Sequence, residues 1–174
     1  VISVYGEKEA ENQYGQLIPV DENRVVAVGE GEVIRFQNRR LQIFDAPGHA
    51  NHHIVIFDEE SKSFFTGDAF GIAYPELTSE DGEFIFISST PTQFEPVKFD
   101  ATIKKILEQK PKSCFLTHFS KITNIEKNGY ELLKQIDEYV TITQQVRNNH
   151  ENQQERIRAV SYTHLTLPTK KRGG

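Results

Sequence analysis

His49, Asp68 and His118 each stand just beyond a short apolar run, as Ile43-Phe44-Asp45-Ala46-Pro47-Gly48-His49, Phe64-Phe65-Thr66-Gly67-Asp68 and Cys114-Phe115-Leu116-Thr117-His118. Neutral imidazoles and carboxylates are the donors that proteins offer to zinc or iron. Short apolar runs of this kind read as strands, whose ends can bring side chains together. A glycine before two of the three residues lets the backbone turn tightly at that point. The combination points to a metal site built on loops at one end of a sheet.

The other histidines read differently. His53 opens a strand and is expected to be a hydrogen-bond partner or a packed ring rather than a ligand, while the adjacent His52 is expected to be exposed. His150 lies in a polar stretch and reads as a solvated residue. The single cysteine, Cys114, excludes an intramolecular disulfide and sits inside an apolar strand, which favours a buried thiol over a nucleophile.

Pro47-Gly48-His49, Phe65-Thr66-Gly67-Asp68 and Thr117-His118 resemble, in that order, the motifs of the metallo-β-lactamase-fold hydrolases. The intervals of 19 residues from His49 to Asp68 and 50 from Asp68 to His118, with a helical stretch before the last motif, strengthen the resemblance. It runs from about residue 1 to residue 147. It implies an α/β (α+β) fold: the C-terminal portion of a four-layer αββα sandwich, with mixed sheets and helices on the outer faces. It also implies that His49 serves a first metal, His118 a second, and that Asp68 bridges both and is the carboxylate central to catalysis. The implied cofactor is Zn2+, two ions per complete domain, with iron or manganese as alternatives. The implied reaction is activation of water against an ester, thioester, lactone or related bond of a small-molecule substrate. The alternative is a non-catalytic metal-binding sensor or interaction protein of the same fold. Family loops between the last two motifs often border the substrate, which makes Thr90 and Gln93 candidates for substrate contacts.

One departure from the family is as informative as the match. The family opens its site with His-x-His-x-Asp-His, and none of the six histidines here forms a His-x-His pair. The chain begins at Val1 and contains no methionine. The expectation is therefore a partial domain over residues 1–159, lacking its N-terminal half and inactive by itself. Residues 160–174 are expected to be a non-biological tail, because Val160-Ser161-Tyr162-Thr163-His164-Leu165-Thr166-Leu167-Pro168-Thr169 resembles a translated sequencing-library adapter.

Without the three basic residues of that tail, 17 basic side chains face 25 acidic ones, a net charge of −8. Nucleic acid and anionic membranes demand basic surface, so neither is an expected partner. No apolar run approaches the roughly 20 residues needed to cross a bilayer. A cytoplasmic location is the expectation, and nothing in the sequence fixes the oligomeric state.

The elements that must position the ligands follow from pattern. Residues 7–14 read as the end of a helix stopped by Gly15, and residues 17–20 as an extended stretch broken by Pro19. Residues 25–28 and 32–36 read as strands joined in a hairpin through Gly29-Glu30-Gly31. Strands over 41–46, 53–57 and 63–66 would complete a β-meander that delivers Asp68. Residues 70–82 mix glycine, proline and aromatics without a period and are expected to form a loop, followed by a strand over 84–87. Residues 96–109 carry Phe99, Ile103, Ile106 and Leu107 at helical spacing and end at Pro111. A strand over 112–116 precedes the longest periodic segment, a helix over 125–146 with Leu132, Leu133, Ile136, Tyr139, Val140 and Val146 on one face. Residues 147–158 have no core face and read as a solvated continuation.

Overall fold

The computed structural model describes residues 6–16, 18–80, 82–89, 93–118, 121–149, 152, 154 and 155. Helix α1 (Glu7–Tyr14) stops at Gly15, whose N–H reaches back to the Glu11 carbonyl at 2.8 Å with a φ of 69° that favours glycine. Six strands form the main sheet: β1 (Val33–Phe36), β2 (Arg39–Asp45), β3 (Ile54–Asp58), β4 (Ser63–Gly67), β7 (Ser113–Leu116) and β8 (Lys121–Ile122), in the order β1-β2-β3-β4-β7-β8. A separate two-stranded ribbon pairs β5 (Ile72–Ala73) with β6 (Ile85–Phe86). Helices α2 (Pro96–Glu108) and α3 (Ile125–Asn149) complete the described core.

The sheet is mixed. All its neighbours are antiparallel except β4 and β7, which run parallel with α2 in the crossover. Since β2 and β4 both oppose β3, the C-terminal ends of β2, β4 and β7 lie at the same rim as the N-terminal end of β3. Those four strand ends lead to His49, Asp68, His118 and His53. The opposite rim, here the base, carries Asp58, Ser63 and Ser113.

Alternation along the strands sorts residues between two faces. Phe44, Val55, Phe57, Phe64, Cys114 and Ile122 share one face and join a buried core with Phe99, Ile103 and Ile106 of α2 and Leu132 and Ile136 of α3. A fully buried side chain of this size contributes about 1.5–3 kcal/mol. The two helices cross closely at Gly129, where an added Cβ would stand 2.6 Å from a methyl of Leu107. The other face carries the row Ile43, Ile56, Phe65 and Phe115, with the last two rings stacked at 5.1 Å and 47% and 36% exposed. Helices α2 and α3 thus cover one face of the main sheet.

Four sequence expectations change. Residues 25–28 form no strand, and Val25 and Val26 are exposed, because the chain joins the β2 edge only from Gly31 onward, where Gly31 N–H and Ile43 C=O meet at 2.8 Å. β-branched residues favour a strand only when a partner edge is in reach. Residues 70–82 contain order: β5, a 3-10 turn at Pro75–Leu77 and a bridge between Ser79 and Gly82. The strand expected over 84–87 is limited to Ile85–Phe86, because its partner is only two residues long. β8 was not expected, since two residues give no period; burial of Ile122 beside Cys114 sustains it. His150, Thr90 and the expected tail at 160–174 lie outside the described residues.

Candidate metal centre

His49 is placed by a turn that only glycine allows. Gly48 has a φ of +127°, and a Cβ there would lie 2.3 Å from the backbone nitrogen of Phe99. The first turn of α2 therefore sits directly on this glycine, held by the Glu95 N–H to Gly48 carbonyl bond at 2.8 Å and by Thr102 Oγ1 donating to the Pro47 carbonyl at 2.7 Å. The buried His49 ring contacts the Ser88 carbonyl through Nδ1 at 3.1 Å. A carbonyl can only accept, so Nδ1 carries a proton, and in the neutral ring Nε2 keeps its lone pair. That Nε2 stands 3.5 Å from Oδ2 of Asp68.

Asp68 follows an irregularity in β4, where the pairing with β7 shifts between Phe65 and Gly67. Gly67 has a φ of +54°, and a Cβ there would fall 2.6 Å from Cε1 of His53. The missing side chain lets the His53 ring lie beneath the turn and accept the Asp68 N–H on Nε2 at 3.2 Å. His53 is thereby engaged through the nitrogen that faces the site, which makes it a support for Asp68. Burial, with His49 adding and Asp68 opposing, pushes its pKa down. In that tautomer Nδ1 bears the hydrogen, and this buried atom has no hydrogen-bond partner.

His118 arrives on the neighbouring parallel strand. The Thr117 N–H bonds to the Gly67 carbonyl at 3.3 Å, which ties the two loops together. His118 Nε2 stands 3.5 Å from Oδ1 of Asp68, with its side chain about half exposed. Oδ1 is buried and accepts no hydrogen bond. The structure therefore gathers His49, Asp68 and His118 at one rim, with the two imidazoles facing different oxygens of one carboxylate. Among the described residues, no three His, Cys, Asp or Glu side chains form a ready-made metal group. The donors fit metal chemistry in kind, while each carboxylate oxygen has one imidazole beside it.

The remaining candidates separate. Gln93 accepts the Asn51 N–H on its Oε1 at 3.2 Å, which ties it to the loop that carries His49. His52 is exposed. Cys114 is buried, and burial raises its thiol to about 12, which leaves no thiolate near neutral pH. The Ser88 carbonyl was missed: a backbone acceptor 39 residues from its partner has no signature in sequence.

A family model described as the metallo-beta-lactamase superfamily matches residues 2–118. The metallo-beta-lactamase fold-containing protein ST1585 of Sulfurisphaera tokodaii is 25% identical over 99 residues, covering 57% of this chain and 34% of the relative. The crystal structure of ST1585 from Sulfolobus tokodaii aligns with a TM-score of 0.58 at 22% identity, over 91% of this chain and 57% of that one. The metallo-beta-lactamase family protein TTHA1429 from Thermus thermophilus aligns with a TM-score of 0.52 at 17% identity, over 67% and 36% of the two chains. A beta-lactamase domain protein from Burkholderia ambifaria gives 0.53 at 15% identity, over 73% and 38%. This chain thus spans a third to just over a half of these relatives. Among the described residues, no helix is long and apolar enough to cross a membrane.

Proposed function

Because this chain belongs to the metallo-beta-lactamase superfamily, which includes hydrolases, we propose that His49, Asp68 and His118 are metal ligands of a hydrolytic site. One observation carries the reading: the partly buried carboxylate of Asp68 has one buried oxygen with no hydrogen bond and an imidazole 3.5 Å from each oxygen. A buried carboxylate oxygen in a purely structural role would be expected to be hydrogen-bonded. In this reading His49 would serve a first ion and His118 a second, with Asp68 shared between them. Zinc is the cation favoured by the family, with iron or manganese accepted by the same donors. Bound there, such ions supply Lewis acidity and a water ionisable near neutral pH.

The protein's own residues perform the remaining work. The Ser88 carbonyl fixes the His49 tautomer that presents a lone pair, and His53 holds the Asp68 backbone so that its carboxylate stays between the imidazoles. Structural zinc sites take four donors and catalytic sites three plus water. The set proposed here gives each ion two, so this chain is proposed to hold zinc weakly and to need further donors for turnover of an ester, thioester, lactone or related small-molecule bond.

Zinc titration followed by NMR tests the assignment. His49 and His118 imidazole signals should shift together on zinc addition, and Asp68→Asn should abolish the shared response. Independent responses, or none at His49, would exclude the site. A tight two-ion isotherm would instead overturn the claim that the donor set is incomplete.

A further inference from the structure

The carbonyl that orients His49 belongs to a segment held from both sides. On one side, β6 pairs with β5, and the Tyr74 N–H meets the Phe84 carbonyl at 3.3 Å. The other side faces α3, where the backbone polar groups of residues 85 and 87 need partners from a helix, whose own backbone is internally bonded. Gln135 supplies them. Its Oε1 accepts the Ile87 N–H at 2.9 Å and its Nε2 donates to the Ile85 carbonyl at 3.0 Å. One amide side chain thus does what a neighbouring strand would do. Glu131, one turn earlier on α3, stands with Oε1 3.4 Å from the same Nε2. The side chains of Ile85, Ile87 and Ser88 are buried, so the segment is set against the core as well.

Strand geometry turns this into a statement about the site. Successive carbonyls of an extended chain point to alternate sides. Ile85 C=O and Ile87 N–H are committed to Gln135, and the carbonyl of Ser88, the next residue, meets His49 Nδ1 at 3.1 Å. We propose that Gln135 is a positioning residue for His49: by clamping residues 85–87 it places the Ser88 carbonyl, which fixes the tautomer and orientation that aim Nε2 at Asp68. The metal-ligand role of His49 is the reading this rests on, but the clamp itself is a property of the metal-free chain. Outer partners that hold a ligating imidazole in one tautomer are a general means of raising its competence as a ligand.

The test is long-range 1H–15N NMR of the imidazole nitrogens on the whole metal-free chain, at a pH where the rings are neutral. In the unaltered protein His49 should be protonated on Nδ1; protonation on Nε2 overturns the proposal without any variant. In Gln135→Leu the Nε2-protonated share should rise by roughly three- to tenfold, the change that matches loss of one net hydrogen bond. Gln135→Glu, which keeps an acceptor for Ile87 N–H and loses the donor to Ile85, should give a smaller shift and serves if the leucine variant fails to fold. A folded variant that melts lower with an unchanged His49 tautomer shows a merely structural role and refutes the assignment. A tautomer shift in a chain whose histidines ignore zinc would sustain the clamp and defeat the metal reading instead.

Discussion

Asp58 and Asp68 lie ten positions apart in sequence, at opposite ends of neighbouring strands, after apolar runs of similar character. At the base, Asp58 is fully buried, and its Oδ2 accepts from Arg39 and from Ser61 Oγ at 2.6 Å while Oδ1 accepts the Glu60 N–H at 3.2 Å. At the rim, Asp68 is partly buried, has an imidazole 3.5 Å from each oxygen, and leaves Oδ1 without a hydrogen bond. The Ser63 and Ser113 hydroxyls likewise satisfy each other at 2.8 Å at the base, while the rim contains the unpartnered His53 Nδ1. The two carboxylates differ in depth and in satisfaction: Asp58 has both oxygens hydrogen-bonded, and Asp68 has one that accepts no hydrogen bond. The polar groups of the base satisfy one another, and the rim holds two, Asp68 Oδ1 and His53 Nδ1, that make no hydrogen bond.

Removing each aspartate should give opposite results. Asp58→Ala should cost about 2–4 kcal/mol, since it strands a Ser61 hydroxyl and an Arg39 charge that is only half exposed. Urea unfolding with a lower midpoint and an unchanged slope would show it, and zinc-induced shifts at His49 should persist. A loss below about 0.5 kcal/mol would erase the structural role assigned to the base.

Gly67→Ala brings the cost to the rim. The φ of +54° and the 2.6 Å approach to the His53 ring should together cost about 1–3 kcal/mol, and the His53 resonances should move with the loss. An alanine variant of wild-type stability with an unmoved His53 ring would contradict the packing described for this turn.

Acid provides a third comparison. The Arg39 guanidinium holds the Asp58 carboxyl at about 2, below its ordinary 3.8. A depressed carboxylate stabilises the fold above its unfolded value, and that contribution disappears as pH falls from about 4 towards 2. The expected amplitude is on the order of 1–2 kcal/mol after allowance for solvent around Arg39. Denaturation at a series of pH values should show this slope in the unaltered chain and a flatter one in Asp58→Asn. Equal slopes would remove Asp58 as the source.

The smallest effect on stability should come from the residue proposed to matter most for function. Asp68→Asn should change unfolding free energy by less than about 0.5 kcal/mol, because the carboxylate it replaces has few bonds to lose. A destabilisation comparable to that of Asp58→Ala would assign Asp68 to the scaffold instead.

Much of the ordered frame was legible from local pattern. The apolar alternation of β2 to β4 and the helical spacing of Phe99, Ile103 and Ile106 and of Leu132 and Ile136 each report a face that must be buried, so the period and the burial agree. The strand-end positions of His49, Asp68 and His118 were equally visible. What failed depended on partners at a distance. Val25 and Val26 have strand-like composition and no edge to join, whereas Ile72 and Ala73 have one in Ile85 and Phe86 despite a glycine- and proline-rich setting.

The residue types and their order determined the donors, the turns at Gly48 and Gly67, and the side of each element that turns inward, because these depend on backbone freedom and on periodicity that is local. Only the tertiary structure decided that β7 would lie parallel to β4, so that His118 reaches one oxygen of Asp68 while His49 reaches the other. It also decided which aspartate would be satisfied, and that a glutamine on α3 would hold the strand whose carbonyl orients a histidine. Hydrogen-bond partners 39 to 50 residues apart are set by packing, and no local pattern encodes them.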